Sequence, residues 1–225
     1  MHAIAQLAIA WASPITGDFN SALQAASVAL EELRSQGEPL WTALAVGSLA
    51  WHEASAGRRD VALRHLQEVR ELGDELDSAW LAAWSRVQMG SLAITQGQHD
   101  QARMLLDDAL ALSVETHSTN IVTLCLIAFA RLAFAGDDPE RAALLAGAAE
   151  GLRRRLGLRA WPMLRNGEAD LIGQIRLALG PSQFSEMVQA GSRLSRQEAA
   201  AVARQHGNRD QAGSDNGLLP ATSSH

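Results

Sequence analysis

The strongest constraint on the fold is a module that recurs four times at a spacing of forty residues, clearest in its fourth copy over residues 127–150. At forty-residue steps, Ala22, Ala62, Ala102 and Ala142 share one position. Ala26, Leu66, Leu106 and Ala146 lie four residues later, and Ala29, Val69, Ala109 and Ala149 three beyond those. This is the i, i+4, i+7 stripe of an amphipathic helix. Upstream, Ile9, Leu49, Met89 and Phe129 form an apolar set, each followed by Ala or Gly, the large-and-small pairing that lets two helices approach closely. Between the sets lie Gly17-Asp18, Gly57-Arg58 and Gly97-Gln98, and in copy four Gly136-Asp137-Asp138-Pro139 begins one residue earlier. Gly ends the first helix and Asp or Pro starts the next, so each copy is expected to be a helix, a turn and a helix.

Such a unit cannot bury its apolar face alone, and the copies are expected to stack into an all-α solenoid. The pattern resembles the tetratricopeptide repeat with longer helices; HEAT-like stacking is the alternative, because forty residues exceeds the usual tetratricopeptide length of about 34. The expected organisation is four helical hairpins over residues 1–158, capping helices over 159–205 and a disordered, Gly-rich polar tail over 206–225. The first helix is expected to end at Pro14. Copy two should have helices over 39–56 and 58–72, copy three over 78–96 and 98–114, and copy four over 119–135 and 138–156. The run Arg153-Arg154-Arg155, with Gly157 after it, is expected to be a solvated helix end whose charge suits the helix dipole. Beyond Leu158 the period is lost. Trp161-Pro162 opens a new element, helices are expected near 164–179 and 182–190, and Ser195-Arg-Gln-Glu198 is a capping box that starts another. A terminal unit must differ from internal ones, so these helices are expected to cover the open end of the stack.

Net charge is −6 with a pI near 5.6, which argues against direct nucleic-acid binding or a membrane-surface role, since either needs a basic face. No stretch approaches the roughly 20 apolar residues of a membrane span, and the N-terminal run has no basic residue before it, unlike a secretory signal. The single cysteine, Cys125, lies in an apolar run. It is expected to be a small buried residue in a chain of the reducing cytoplasm. Residues 3–12 contain one polar side chain, Gln6, so the first helix should leave an apolar face uncovered. That face is expected to pair with a second copy or with a preceding domain.

Residues 139–157, with Ile172-Gly-Gln-Ile-Arg-Leu-Ala-Leu-Gly-Pro-Ser-Gln-Phe184 and Gly191-Ser-Arg-Leu-Ser-Arg-Gln-Glu-Ala-Ala200, resemble the C-terminal end of large actinobacterial transcriptional regulators of the LuxR-type and adenylate-cyclase-linked ATPase kind. The resemblance implies a tetratricopeptide-like regulatory region serving an upstream ATPase or regulator domain. No G-x4-G-K-[ST] phosphate loop and no helix-turn-helix stand in the sequence, so ATPase and DNA-binding roles are not carried over.

Chemistry is sparse. His52-Glu53 lacks the second histidine of H-E-x-x-H, because position 56 is Ala. The other histidines have no ligand spacing, and Asp107-Asp108 and Asp137-Asp138 are helix neighbours that do not face each other. Neither catalytic, cofactor nor metal residues are expected, and the chain is expected to be a non-catalytic protein or peptide interaction module. The alternative is a small-molecule-sensing domain or an enzyme with a pocket between repeats. The candidate partner-binding residues are Trp11, Trp51, Trp84 and Arg131. Trp11 and Trp51 are equivalent in copies one and two, with Ser91 and Arg131 at the same place in copies three and four. Leu44, Trp84 and Leu124 form a second row. In tetratricopeptide repeats the first of these positions lines the concave groove. An aromatic ledge ending at an arginine suits an apolar peptide with an acidic end; alternatively, the tryptophans fill gaps in the core.

Overall fold

The computed structural model describes residues 2–16 and 19–205, and the tail expected over 206–225 lies outside them. Among the described residues all regular structure is helical: α1 (His2–Thr16), α2 (Phe19–Gln36), α3 (Pro39–Ser55), α4 (Arg59–Glu75), α5 (Ala79–Thr95), α6 (His99–Glu115), α7 (Thr119–Ala135), α8 (Pro139–Arg155), a 3-10 turn (Pro162–Leu164), α9 (Arg165–Leu179), α10 (Pro181–Arg193) and α11 (Arg196–Arg204). α1 runs two residues past Pro14. A proline so near a helix end removes only one backbone donor, that for the carbonyl of Ala10.

The forty-residue repeat resolves into a shorter one. Helices α3 to α8 each have 17 residues and start every twenty, at positions 39, 59, 79, 99, 119 and 139. A left-handed residue follows at the same interval: Gly37, Gly57, Asp77, Gly97, His117, Asp137 and Gly157, all with φ between 48° and 79°. After each, the next backbone N–H donates to the carbonyl five residues back, as from Arg58 to Glu53, Ser78 to Gly73 and Asp138 to Ala133, at 2.8–3.2 Å. This is the Schellman closure, which satisfies carbonyls the helix end would otherwise orphan. The turn of copy four is therefore not shifted as the sequence suggests. Gly136 has an ordinary φ of −84°, and Asp137 takes the left-handed place, as Asp and His do more readily than most side chains.

From α1 to α10 successive helices pack on each other. The odd-numbered ones also meet, α1 with α3, α3 with α5 and α5 with α7, which makes theirs the inner side of the stack. The stripe positions of the even-numbered helices form the core: Ala22, Ala26, Ala29, Ala62, Leu66, Val69, Ala102, Leu106, Ala109, Ala142, Ala146 and Ala149 are all at most 5% exposed. The upstream set is less uniform, since Phe129 is buried while Ile9 is 48% exposed. On α1, Ala3, Leu7 and Ala10 are buried whereas Ile4 and Ile9 face outward, leaving an apolar strip on that helix.

The C-terminal helices do two different things. Helices α10 and α11 cover the end of the stack: α10 crosses α8, and α11 rests on α6, α7 and α8. The α8–α10 crossing is backbone to backbone. A Cβ on Gly147 would come within 2.4 Å of the Val188 carbonyl oxygen, one on Gly151 within 2.3 Å of that of Ser192, and one on Gly191 within 2.0 Å of that of Leu144. Helix α11 opens with the expected capping box, Ser195 and Glu198 each accepting from the other's backbone N–H. The segment between α8 and α9 instead returns to the inner side and meets α1. There the ring of Trp161 lies 6.4 Å from Trp11, 6.3 Å from Trp80 and 5.8 Å from Trp84.

The arginine run at the end of α8 is in part a correction to the sequence reading, because Arg154 and Arg155 are exposed as a solvated helix end requires but Arg153 is not. Arg153 is 5% exposed and forms a bidentate pair with Glu168 of α9 at 2.6 and 3.0 Å. Arg155 donates to the carbonyls of Ser192 and Leu194 at the end of α10, at 2.7 and 2.6 Å. Two of the three arginines thus fasten the C-terminal helices to the repeats.

Candidate functional site

The inner side of the stack is the place for a site, since α9 turns what would be an open groove into a cavity of about 460 Å³. Helices α3, α5 and α7 provide one wall each and α9 provides the closing one. The forty-residue register puts Trp51, Ser91 and Arg131 on those three walls, and all three line the cavity. Leu124, of the second row, lines it as well, and Val87, Ile127, Phe134, Leu164 and Leu171 make most of the remainder apolar.

The other two candidates go elsewhere. Trp11 has the same register as Trp51 but tilts against Trp161, because the segment returning from α8 reaches α1 and not α3. Trp84 is 2% exposed and stacks on Trp80 at 5.6 Å. Its ring lies where a Cβ on Gly47 would be only 2.2 Å away, so that glycine makes room for it. Of the proposed ledge, then, Trp51 and Arg131 share the cavity, whereas Trp11 and Trp84 join an aromatic cluster with Trp80 and Trp161.

Among the described residues, two charged ones line the cavity, Arg131 and Glu168, and they are in different states. Both carboxylate oxygens of Glu168 accept from Arg153, and both side chains are almost wholly buried. Arg131 makes no hydrogen bond or ion pair among the described residues. Burial pulls its pKa down from the ordinary value, partly offset by the charges of Glu168 and Asp170. A Cβ on Gly167 would lie 3.1 Å from the Arg131 guanidinium, so the absence of a side chain there leaves it space. The hydroxyls of Ser55 and Thr95 are already used, donating to the carbonyls of Trp51 and Leu92, whereas the Gln88 amide and the Ser91 hydroxyl make no hydrogen bond among the described residues.

The cavity therefore offers one cation with no anion bonded to it and two neutral polar groups in an apolar setting. Compared with protein-family models, curated proteins and solved structures, the chain gives no match.

Elsewhere, Cys125 is fully buried and burial pushes its thiol up to about 12, far from the thiolate a nucleophile needs. No group of three or more His, Cys, Asp or Glu among the described residues is placed to hold a metal. Nor is any described helix long and apolar enough to cross a membrane.

The residues that the sequence reading missed are those of α9. A signal for them exists: Leu164, Glu168, Leu171 and Ile175 form an i, i+4, i+7, i+11 stripe with a carboxylate inside it. A charge on an apolar face must have a buried partner, and the nearest unexplained cations are the arginines that end α8.

Proposed function

We propose that this chain is a non-catalytic binding module of tetratricopeptide-like hairpins whose ligand occupies the cavity between Trp51, Arg131 and α9. The observation that carries this reading is the convergence of one register position from three consecutive repeats on a single cavity, closed by a helix from outside the repeats. Its volume, about 460 Å³, falls within the roughly 300–1,000 Å³ of small-molecule sites. An extended peptide would need the groove that α9 and Trp161 cross, so a small ligand suits the geometry better. With the resemblance to the C-terminal regions of LuxR-type and ATPase-linked regulators, the reading becomes that of a cytoplasmic ligand-sensing part of a transcriptional regulator.

A thermal-shift screen of small metabolites tests it, with Trp51→Ala and Ser91→Trp as controls. A stabilising compound should lose roughly 2 kcal/mol of binding in Trp51→Ala, in the usual range for an aromatic anchor, and should be blocked in Ser91→Trp, which fills the cavity. If every hit stabilises Ser91→Trp as well as the wild type, the ligand lies elsewhere and the reading fails.

A protein partner is the second reading, and the outward Ile4 and Ile9 of α1, 43% and 48% exposed, favour it. It predicts that Ile9→Arg, not Ser91→Trp, abolishes capture of that partner in a pull-down.

A further inference from the structure

The cavity's charge balance says more about its occupant. Glu168 and Arg153 neutralise each other through two hydrogen bonds at 2.6 and 3.0 Å, so their pair contributes no net charge to the site. Arg131 remains, a half-buried guanidinium with no anion bonded to it among the described residues. Isolated charge in an apolar setting is costly and persists where something outside the chain completes it. Resting on the cavity-binding reading above, we propose that the ligand is a monocarboxylate with an apolar body, its carboxylate on Arg131 and its body along Trp51, Val87, Leu124 and Ile127.

The geometry selects against other head groups. A cation would be repelled by Arg131, and the one carboxylate in the lining already has both oxygens on Arg153. A neutral head would leave the guanidinium unpaired. A dianion such as a phosphate monoester would leave one excess negative charge beside Glu168, in a place where desolvation is unfavourable for either sign. Asp170, the other carboxylate that acts on Arg131, is exposed and outside the lining, so a monoanion neutralises the charge within the cavity, and a carboxylate matches the planar fork of the guanidinium with two parallel N–H···O bonds. Ser91 stands at the equivalent position one repeat earlier and, with Gln88, supplies the further neutral donors that a second oxygen can use.

The body must be apolar for an equally direct reason. Apart from these groups the walls are aliphatic, aromatic or hydroxyls already bonded to their own helices. A polyhydroxylated acid would bury donors and acceptors with nothing to meet them.

The test uses the full chain and a set of ten-carbon probes that differ only at the head: decanoate, decanol, decylamine and decyl phosphate. Binding is followed by calorimetry and by tryptophan fluorescence, and circular dichroism verifies that each variant is folded. Decanoate should bind at one site and more tightly than the other three. In Arg131→Gln its affinity should fall by about tenfold or more, the loss expected for a hydrogen bond to a charged group, while decanol binds no more weakly than before. Ser91→Trp should block both. If decanol or decyl phosphate binds as tightly as decanoate, or if Arg131→Gln leaves decanoate unchanged while Ser91→Trp still blocks it, the carboxylate assignment is overturned and the cavity-binding reading stands. Binding that survives Ser91→Trp overturns both. A folded wild-type chain that takes up no decanoate overturns the carboxylate assignment, and the metabolite screen then decides the cavity reading separately.

Discussion

Arg131, half-buried, and His52, buried, both sit against the interest of the fold, and each makes a prediction. A guanidinium that burial disfavours and no carboxylate bonds is a cost to the empty protein. Replacing it by a long, unbranched apolar side chain should remove that cost, so Arg131→Met is expected to stabilise the unliganded chain by about 1 kcal/mol, seen as a melting temperature higher by roughly 2–4 °C. A lower melting temperature would show that the guanidinium holds the cavity walls together. His52 is 3% exposed, its ring set edge-on to that of Trp51 at 5.0 Å. Neither ring nitrogen has a hydrogen bond of normal geometry. Burial lowers its pKa below the ordinary 6.5, and the backbone of Ala10, whose carbonyl Pro14 cannot serve, offsets part of this. The half-buried His65 is shifted the same way. As pH falls through 6.5 the unfolded chain takes up protons that the folded one resists, so stability is complete above that value and declines as pH drops toward the lower folded pKa. The melting temperature should therefore fall between about pH 7.5 and about pH 5.5, and His52→Leu should flatten that dependence. At this scale the sequence marked Trp51 and Arg131 because register alone places them. It could not distinguish Trp11 from Trp51, which share that register but meet different neighbours.

Among the elements, the equal 17-residue lengths of α3 to α8 and the shared geometry of their turns were only half visible in the sequence. The period read as forty because inner and outer helices differ in composition, and because the left-handed place is glycine in some turns and Asp or His in others. Gly136 attracted the turn assignment in copy four, but the Schellman hydrogen bonds set the turn by counting back five residues, which selects Asp137. Asp77, at φ 48°, carries the steric cost of a side chain there, about 1–2 kcal/mol. Glycine's greater freedom in the unfolded chain returns roughly half of it. Asp77→Gly is thus expected to stabilise by about 0.5–1 kcal/mol in chemical denaturation. The opposite change is expected at the α8–α10 crossing, where a methyl group at Gly191 would strike the Leu144 carbonyl. Gly191→Ala should destabilise by roughly 1–3 kcal/mol, as overpacking does, and should raise hydrogen exchange in α10 before α3 or α5.

For the whole molecule, the covering of the stack's end follows from the need of terminal units to differ. The path across the inner side does not, because no register ties residues 157–164 to α1. Two attachments hold that path: the Arg153–Glu168 pair and the contact of Trp161 with three other tryptophans. Glu168→Ala leaves Arg153 buried and alone, a loss of about 3–5 kcal/mol. Hydrogen exchange should then rise first in α9, with α4 and α6 unaffected; uniform loss of protection would mean that α9 is part of the same cooperative unit as the repeats. The return path also limits how such a chain can change. An open array of hairpins can be lengthened by duplicating a unit, since each touches only its neighbours. Here a hairpin inserted between α1 and α8 would move α1 away from the returning segment by about 10 Å, one interhelical spacing, and Trp161 could no longer reach Trp11 from 6.4 Å. The closure works as a gauge of repeat number: a five-hairpin version of this chain would have to give up its cavity or grow a longer strap.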